Sequence, residues 1–201
     1  MNWGDILDVN IYLFNDFETL DIFGPIEVLG KIEEYHIKYY SEFGGIVKSA
    51  QNVEIMTKSI HTAVSSAVFV IPGGIGTRAL VKDQESLLKI RQQAIASLFC
   101  LSICTGSSVL AKCGVLDGKK ATSNKRALEW VKGNGKSVLW VDRARWCVDG
   151  KFYTASGVSA GIDMTLGFIS DCFGKKKAEE IADSIEYIWN KDPENDPFAI
   201  T

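Results

Sequence analysis

Residues 98–114 read LFCLSICTGSSVLAKCG. Leu98–Ile103 is a nearly unbroken apolar run, the pattern of a strand covered on both faces. The stretch GSSVLAKC (106–113) has helical character, and Gly114 supplies the expected stop. Cys104 stands at the bend between the two. A tight strand-to-helix turn holds its residue in an unfavourable backbone conformation and presents the side chain above the sheet. The next N–H, on Thr105, is one of the unpaired donors of a helix start, and the positive end of the helix dipole favours an anion there. Cysteines so placed ionise at about pH 3.5–7.5 instead of 8.5. A reactive thiolate is therefore the expectation for Cys104. Cys100, Cys113 and Cys172 read as packing residues of the strand and helices that contain them.

Strands and helices alternate outward from this stretch. AVFVIP (67–72) is a second buried-strand run and ends in Gly73-Gly74-Ile75-Gly76. Its two glycines allow close backbone approach, and the N–H groups of Gly74 and Ile75 are candidate donors that would complete an oxyanion-like cradle with Thr105. VNIYLF (9–14) and YHIKYYSE (35–42) read as strands, and IVKSAQNVEIMT (46–57) as a hairpin turning at Gln51-Asn52. TLDIFGPIEVLGKI (19–32) has helical spacing, with Gly24-Pro25 predicting a kink or a restart. DQESLLKIRQQAIAS (83–97) opens on a capping Asp and places apolar residues at 87, 88, 90 and 94.

RALEWVKG (126–133) predicts a helix; SVLWV, RWCVDG and KFYTAS predict strands; 158–173 and 176–190 predict two more helices. Such alternation argues a single α/β domain over residues 1–201, a mainly parallel sheet with helices around it. Ligands in these sheets bind beyond the carboxyl ends of the strands, where Gly73-Gly74 and Cys104 both fall.

Composition narrows the function. The 201 residues carry a net charge of −3, 46% apolar and 23% charged side chains. Phosphate binding needs clustered cations, and the densest run, Lys175-Lys176-Lys177, is followed by Ala-Glu-Glu and reads as a solvated helix face. No nucleic-acid partner is expected. No run of about 18 apolar residues predicts a membrane span, and the first ten residues do not resemble a secretory signal. Five cysteines without a Cys-x-x-Cys, and only two histidines, His36 and His61, predict a reduced cytoplasmic compartment and no metal site. No phosphate loop or dinucleotide fingerprint is present, so no cofactor is expected.

The combination of Ser102-Ile103-Cys104-Thr105-Gly106-Ser107, Pro72-Gly73-Gly74 and Leu20-Asp21-Ile22-Phe23-Gly24-Pro25 resembles the ThiJ/PfpI superfamily, related to the class I glutamine amidotransferase-like fold. Gly118-Lys119-Lys120-Ala121-Thr122 and Ser156-Gly157-Val158-Ser159-Ala160-Gly161-Ile162-Asp163 extend the likeness, which is nearest to the isocyanide hydratase branch. The resemblance implies a flavodoxin-like three-layer α/β/α sandwich with a nucleophile elbow, and a small-molecule substrate. It also implies a homodimer with the nucleophile near the interface. By the same resemblance Cys104 attacks the isocyanide carbon, Asp21 manages protons or water, and Thr105 assists. Water then attacks the thioimidate and an N-substituted formamide leaves.

Read from its position alone, Asp21 could instead cap the helix that starts near residue 20. Glu18 is a second acidic candidate, more in keeping with a solvated first-turn residue. Ile22, Phe23 and Ile75 could line an apolar pocket.

Two departures bear on the reaction. Peptidase-like members resemble a Cys-His-Gly pattern, whereas Thr105 follows the cysteine here and leaves a thiol protease without a base. Many relatives carry Thr-His-Trp where this chain has Ser123-Asn124-Lys125. Asp163 reads as a packing residue. Besides a hydratase or related thiol hydrolase, the same thiol suits a redox sensor oxidised to a sulfenic or sulfinic acid, or the ligand-sensing part of a transcription regulator.

Overall fold

The computed structural model describes residues 7–199. In chain order the elements are β1 (Leu7–Tyr12), α1 (Thr19–Leu29), β2 (Tyr35–Ser41), β3 (Gly45–Lys48), β4 (Glu54–Ser59), β5 (Val68–Ile71), α2 (Thr77–Leu80), α3 (Gln84–Ala96), β6 (Phe99–Ser102), α4 (Gly106–Lys112), β7 (Lys120–Ala121), α5 (Leu128–Asn134), β8 (Leu139–Trp140), β9 (Trp146–Asp149), β10 (Phe152–Ala155), α6 (Ala160–Phe173) and α7 (Lys175–Ser184). Eight strands form one sheet in the order β3-β4-β2-β1-β5-β6-β10-β9. The six from β4 to β10 run parallel, and the edge strands β3 and β9 are antiparallel. Strand order therefore reverses between β1 and β5, which opens a crevice at their carboxyl ends.

Helices cover both faces. On one, Ile22 and Val28 of α1, Met164 and Phe168 of α6 and Ile181 of α7 pack with Val9, Val70 and Leu101 of the sheet. On the other, Leu87 and Ile90 of α3 and Val109 and Leu110 of α4 pack with Phe69 and Ile71. This is the three-layer sandwich expected. Burial of a side chain the size of Ile90 contributes about 1.5–3 kcal/mol, enough for one stripe to hold α3 in place. Leu88 lies off that stripe and is exposed.

Local chemistry sets the element ends. The Asp83 carboxylate accepts from the N–H groups of Glu85 and Ser86 and caps α3, as its position predicts. The hairpin turns through Asn52 in the left-handed region (φ 64). α1 runs on through Pro25 without a restart.

Three expectations need correction. The helix expected over 176–190 ends at Ser184, because the chain reverses at Glu186 (φ 52) and 187–199 contains no helix or strand. The helix expected from 126 starts as a 3-10 turn, Lys125–Ala127. The strand read in SVLWV does not join the main sheet; β8 pairs with the two-residue β7, too short to leave a periodic signal.

Candidate active site

Cys104 has φ 55, a left-handed conformation that costs a non-glycine residue about 1–2 kcal/mol. Its carbonyl accepts from Ser107 Oγ at 3.2 Å and Ser123 Oγ at 2.7 Å, so the bend is held from both sides. The residue is 6% exposed.

The register that pairs Ile71 with Ser102 brings Gly73 beside Cys104 two residues later. A Cβ at Gly73 would lie 2.5 Å from Thr105 N and 2.8 Å from Cys104 Cβ. Only glycine fits. Gly73→Ala is expected to destabilise the fold by about 1–3 kcal/mol through overpacking, read as a lower urea midpoint. An unchanged midpoint would place the two loops farther apart than described.

Asp21 answers the question its position left open. It does not cap α1, whose N-cap is Glu18 without any side-chain capping bond. Its carboxylate is fully buried, and Oδ2 accepts from Gly73 N–H at 2.8 Å. Oδ1 has no protein hydrogen-bond partner by distance and angle among the described residues; the Cys104 thiol lies beside the carboxyl, and the Glu18 charge also acts on it. Burial drives Asp21 well above the ordinary carboxylate range, against the pull of the Gly73 N–H. Glu18 is partly exposed and accepts from Gln51 Nε2, so it is not the thiol's partner.

Burial likewise pushes the Cys104 thiol up, and the Asp21 charge adds to that; the Thr105 N–H, the Thr105 hydroxyl and the Asn124 side chain pull it down. The expectation of a freely ionised cysteine is thus corrected. Two buried acids side by side cannot both lose their protons cheaply, so each raises the other's affinity for a proton.

The expected cradle is also revised. Gly73 N–H is taken by Asp21, and Gly74 N–H donates to Thr105 Oγ1 at 3.0 Å, so neither is free for a substrate atom. Ile75 is 61% exposed beyond the loop. Thr105 is buried, its hydroxyl held by Gly74 and by Thr77 Oγ1 at 3.2 Å. Ile22 is fully buried in the core, whereas Phe23 is exposed.

One neighbour of the thiol was not singled out as a site residue. Asn124 Oδ1 accepts from Arg126 N at 3.0 Å and Ala127 N at 3.2 Å, capping the 3-10 turn. That fixes the amide with its NH₂ end toward the sulfur, and the missing Cβ of Gly157 leaves room for Nδ2. Asn124 falls where relatives carry the histidine noted above, so that departure was the available signal. Asn124→Asp keeps the cap but turns a donor into a charged acceptor. It is expected to slow Cys104 alkylation by iodoacetamide at neutral pH at least about tenfold, one unit of thiol pKa, with little change in thermal midpoint.

Asp163, read from the sequence as a packing residue, is buried as an ion-paired acceptor for Arg145 Nε at 2.7 Å, Tyr187 OH and Asn190 N. His36 and His61 are exposed on the surface, and Lys175 and Lys176 pair with Glu179 and Glu180 along α7. No helix among the described residues is long and apolar enough to cross a membrane.

Known proteins resemble this chain in sequence and fold. Isonitrile hydratase of Pseudomonas putida is 29% identical over 182 residues, covering 90% of this chain and 78% of that protein. Protein dj-1beta of Drosophila melanogaster is 28% identical over 152 residues, 73% of this chain and 79% of the relative. Among solved structures, a ThiJ/PfpI family protein from Pseudomonas syringae superposes with a TM-score of 0.80 at 27% identity, covering 97% of this chain and 78% of that one. The sequence profile of the DJ-1/PfpI family matches residues 8–171, a span that takes in Asp21, Gly73, Cys104 and Asn124. By that match, and by the strained cysteine at the end of β6, the chain belongs to the DJ-1/PfpI family.

Proposed function

We propose that the protein is a cofactor-independent thiol enzyme that hydrates isocyanides to N-substituted formamides. The observation that carries this reading is the fully buried Asp21 carboxyl, held by the Gly73 N–H beside the Cys104 thiol, where burial raises its affinity for a proton. An isocyanide carbon is attacked by a nucleophile and must receive a proton at the same atom, which is what such a pair can deliver.

In the working form the sulfur is anionic and Asp21 neutral. The sulfur bonds to the terminal carbon, and the Asp21 proton passes to that carbon, leaving a thioimidate, R–N=CH–S. Asp21, now a carboxylate, takes a proton from water as the water oxygen bonds to the same carbon, and hands that proton to nitrogen. Collapse of the tetrahedral adduct breaks the carbon–sulfur bond and returns the hydroxyl proton to Asp21. One isocyanide and one water become one formamide, and the thiolate is regenerated. Thr105 N–H and the Asn124 amide stabilise the sulfur as its charge returns.

The test is formamide formation from alkyl and aryl isocyanides by the purified protein, beside its Cys104→Ser and Asp21→Asn variants. Absence of turnover in the unaltered protein sinks the reading. A second reading follows from the donors around the sulfur, since Thr105 and Asn124 could equally hold the oxygens of a sulfinate. Oxidation of Cys104 at low peroxide, together with no turnover of any isocyanide, would favour that redox role. The exposed side chains of Leu20, Phe23 and Ile75 support a homodimer paired near the site.

A further inference from the structure

Residues 187–199 carry no helix or strand, yet one of their carboxylates is among the most buried in the protein. Asp196 is 3% exposed. Its Oδ1 pairs with Arg145 Nη1 at 3.3 Å and accepts from Phe198 N at 3.1 Å, and its Oδ2 takes the hydroxyl of Ser156. Backbone bonds tie the same segment down: Asp196 N donates to Arg143 O at 2.7 Å, and Arg145 N to Pro193 O at 2.8 Å. Arg145 in turn grips Asp163 at the first turn of α6, Nη2 to Oδ2 at 2.6 Å. A buried charge is costly unless paired and hydrogen-bonded. Asp196 has both kinds of partner, which marks it as a latch.

The latch borders an open cavity of about 380 Å³. Asn124, Gly157 and Val158 line it together with Asp196 and Phe198. Asn124 is shared between the cavity and the Cys104 sulfur. A space of this size suits a small organic molecule. Phe198 is 70% exposed, so its ring stands at the rim and carries no core-packing role.

We infer that residues 190–199 form the outer wall of the passage to Cys104, latched by Asp196, and that Phe198 limits the bulk of the group entering it. This deepens the reading of Cys104 as the reacting atom by assigning the residues that select substrate size. The consequence for an isocyanide series is that small substituents are accepted and polycyclic ones excluded.

The test does not depend on which reaction the site performs. Full-length protein is treated separately with iodoacetamide, a small reagent, and N-(1-pyrenyl)maleimide, a bulky one, and the rate at Cys104 is followed by peptide mapping. A change in sulfur ionisation moves both rates together, whereas a wall moves their ratio. Phe198→Ala and Asp196→Ala are each expected to speed the bulky reagent about tenfold or more while iodoacetamide changes by less than about threefold, as for a local opening. Ile188→Ala, at a fully exposed position that does not line the cavity, is expected to change neither. Equal acceleration by both reagents, or no acceleration of the bulky one in Phe198→Ala, overturns the proposal. Should Asp196→Ala fold poorly, Phe198→Ala decides alone. If isocyanides are not turned over but the labelling ratio shifts, the wall stands and the hydratase reading falls.

Discussion

Exchanging Cys104 for serine is expected to lower formamide production by about 10⁴- to 10⁶-fold, the scale of losing a nucleophile that works as one unit with its proton donor. The reason lies in the bend. Serine fits the space and keeps the contact with Asp21, but its hydroxyl does not ionise in water at any relevant pH. Burial, which already pushes the thiol up, raises the cost of an alkoxide further. The elbow conformation at φ 55 and the Ser107 and Ser123 bonds to the residue-104 carbonyl involve backbone that the substitution does not alter. Thermal midpoint should therefore stay within a few degrees while turnover vanishes. Retention of more than about one hundredth of the activity would be incompatible with any pathway through the sulfur.

Much of this site could be read before any coordinates, for reasons that differ from residue to residue. Cys104 was legible because a buried strand, a single bend residue and a helix start follow one another within a few positions, and local sequence dictates local geometry there. Gly73 was legible for the same reason at the end of β5, although its task is different: it yields space to Thr105 and gives its N–H to Asp21. Asp21 was only half legible. Its side chain reaches 52 residues along the chain to Gly73, and nothing local distinguishes that from a helix cap; the resemblance supplied the choice. Asn124 depends on two loops meeting, one after β7 and one after β10, and no periodicity encodes such a meeting. Asp196 is harder still, because segments without a repeat carry no signal of what they cover. Ionisation was misread for a related reason. A helix start lowers a thiol's pKa, but the opposing effect, burial beside a second acid, exists only once β1, β5 and β6 are side by side.

That coupling leads to the other large effect. Asp21→Asn is expected to cut turnover by about 10²- to 10⁴-fold, the usual worth of a positioned proton donor, while making the protein more stable at neutral pH. An asparagine fits the same bonds: its Oδ1 can accept from Gly73 N–H, and its NH₂ can donate to the sulfur. What it lacks is a proton to give. The sign of the stability change follows from the raised carboxyl. Between the ordinary aspartate value of about 3.9 and the higher value in the folded protein, the native state holds a proton that the unfolded chain has released. Stability therefore falls as pH rises through that window, and asparagine is spared the loss. Urea midpoints of the two proteins should nearly coincide toward the acid end of the window and separate as pH rises, Asp21→Asn being the more stable. The same substitution removes one of two coupled titrations, so thiolate absorbance near 240 nm should rise in one step instead of two. A stability gain that is the same at every pH would mean that Asp21 carries no proton in the native state, and the proton delivery assigned to it would fail with it.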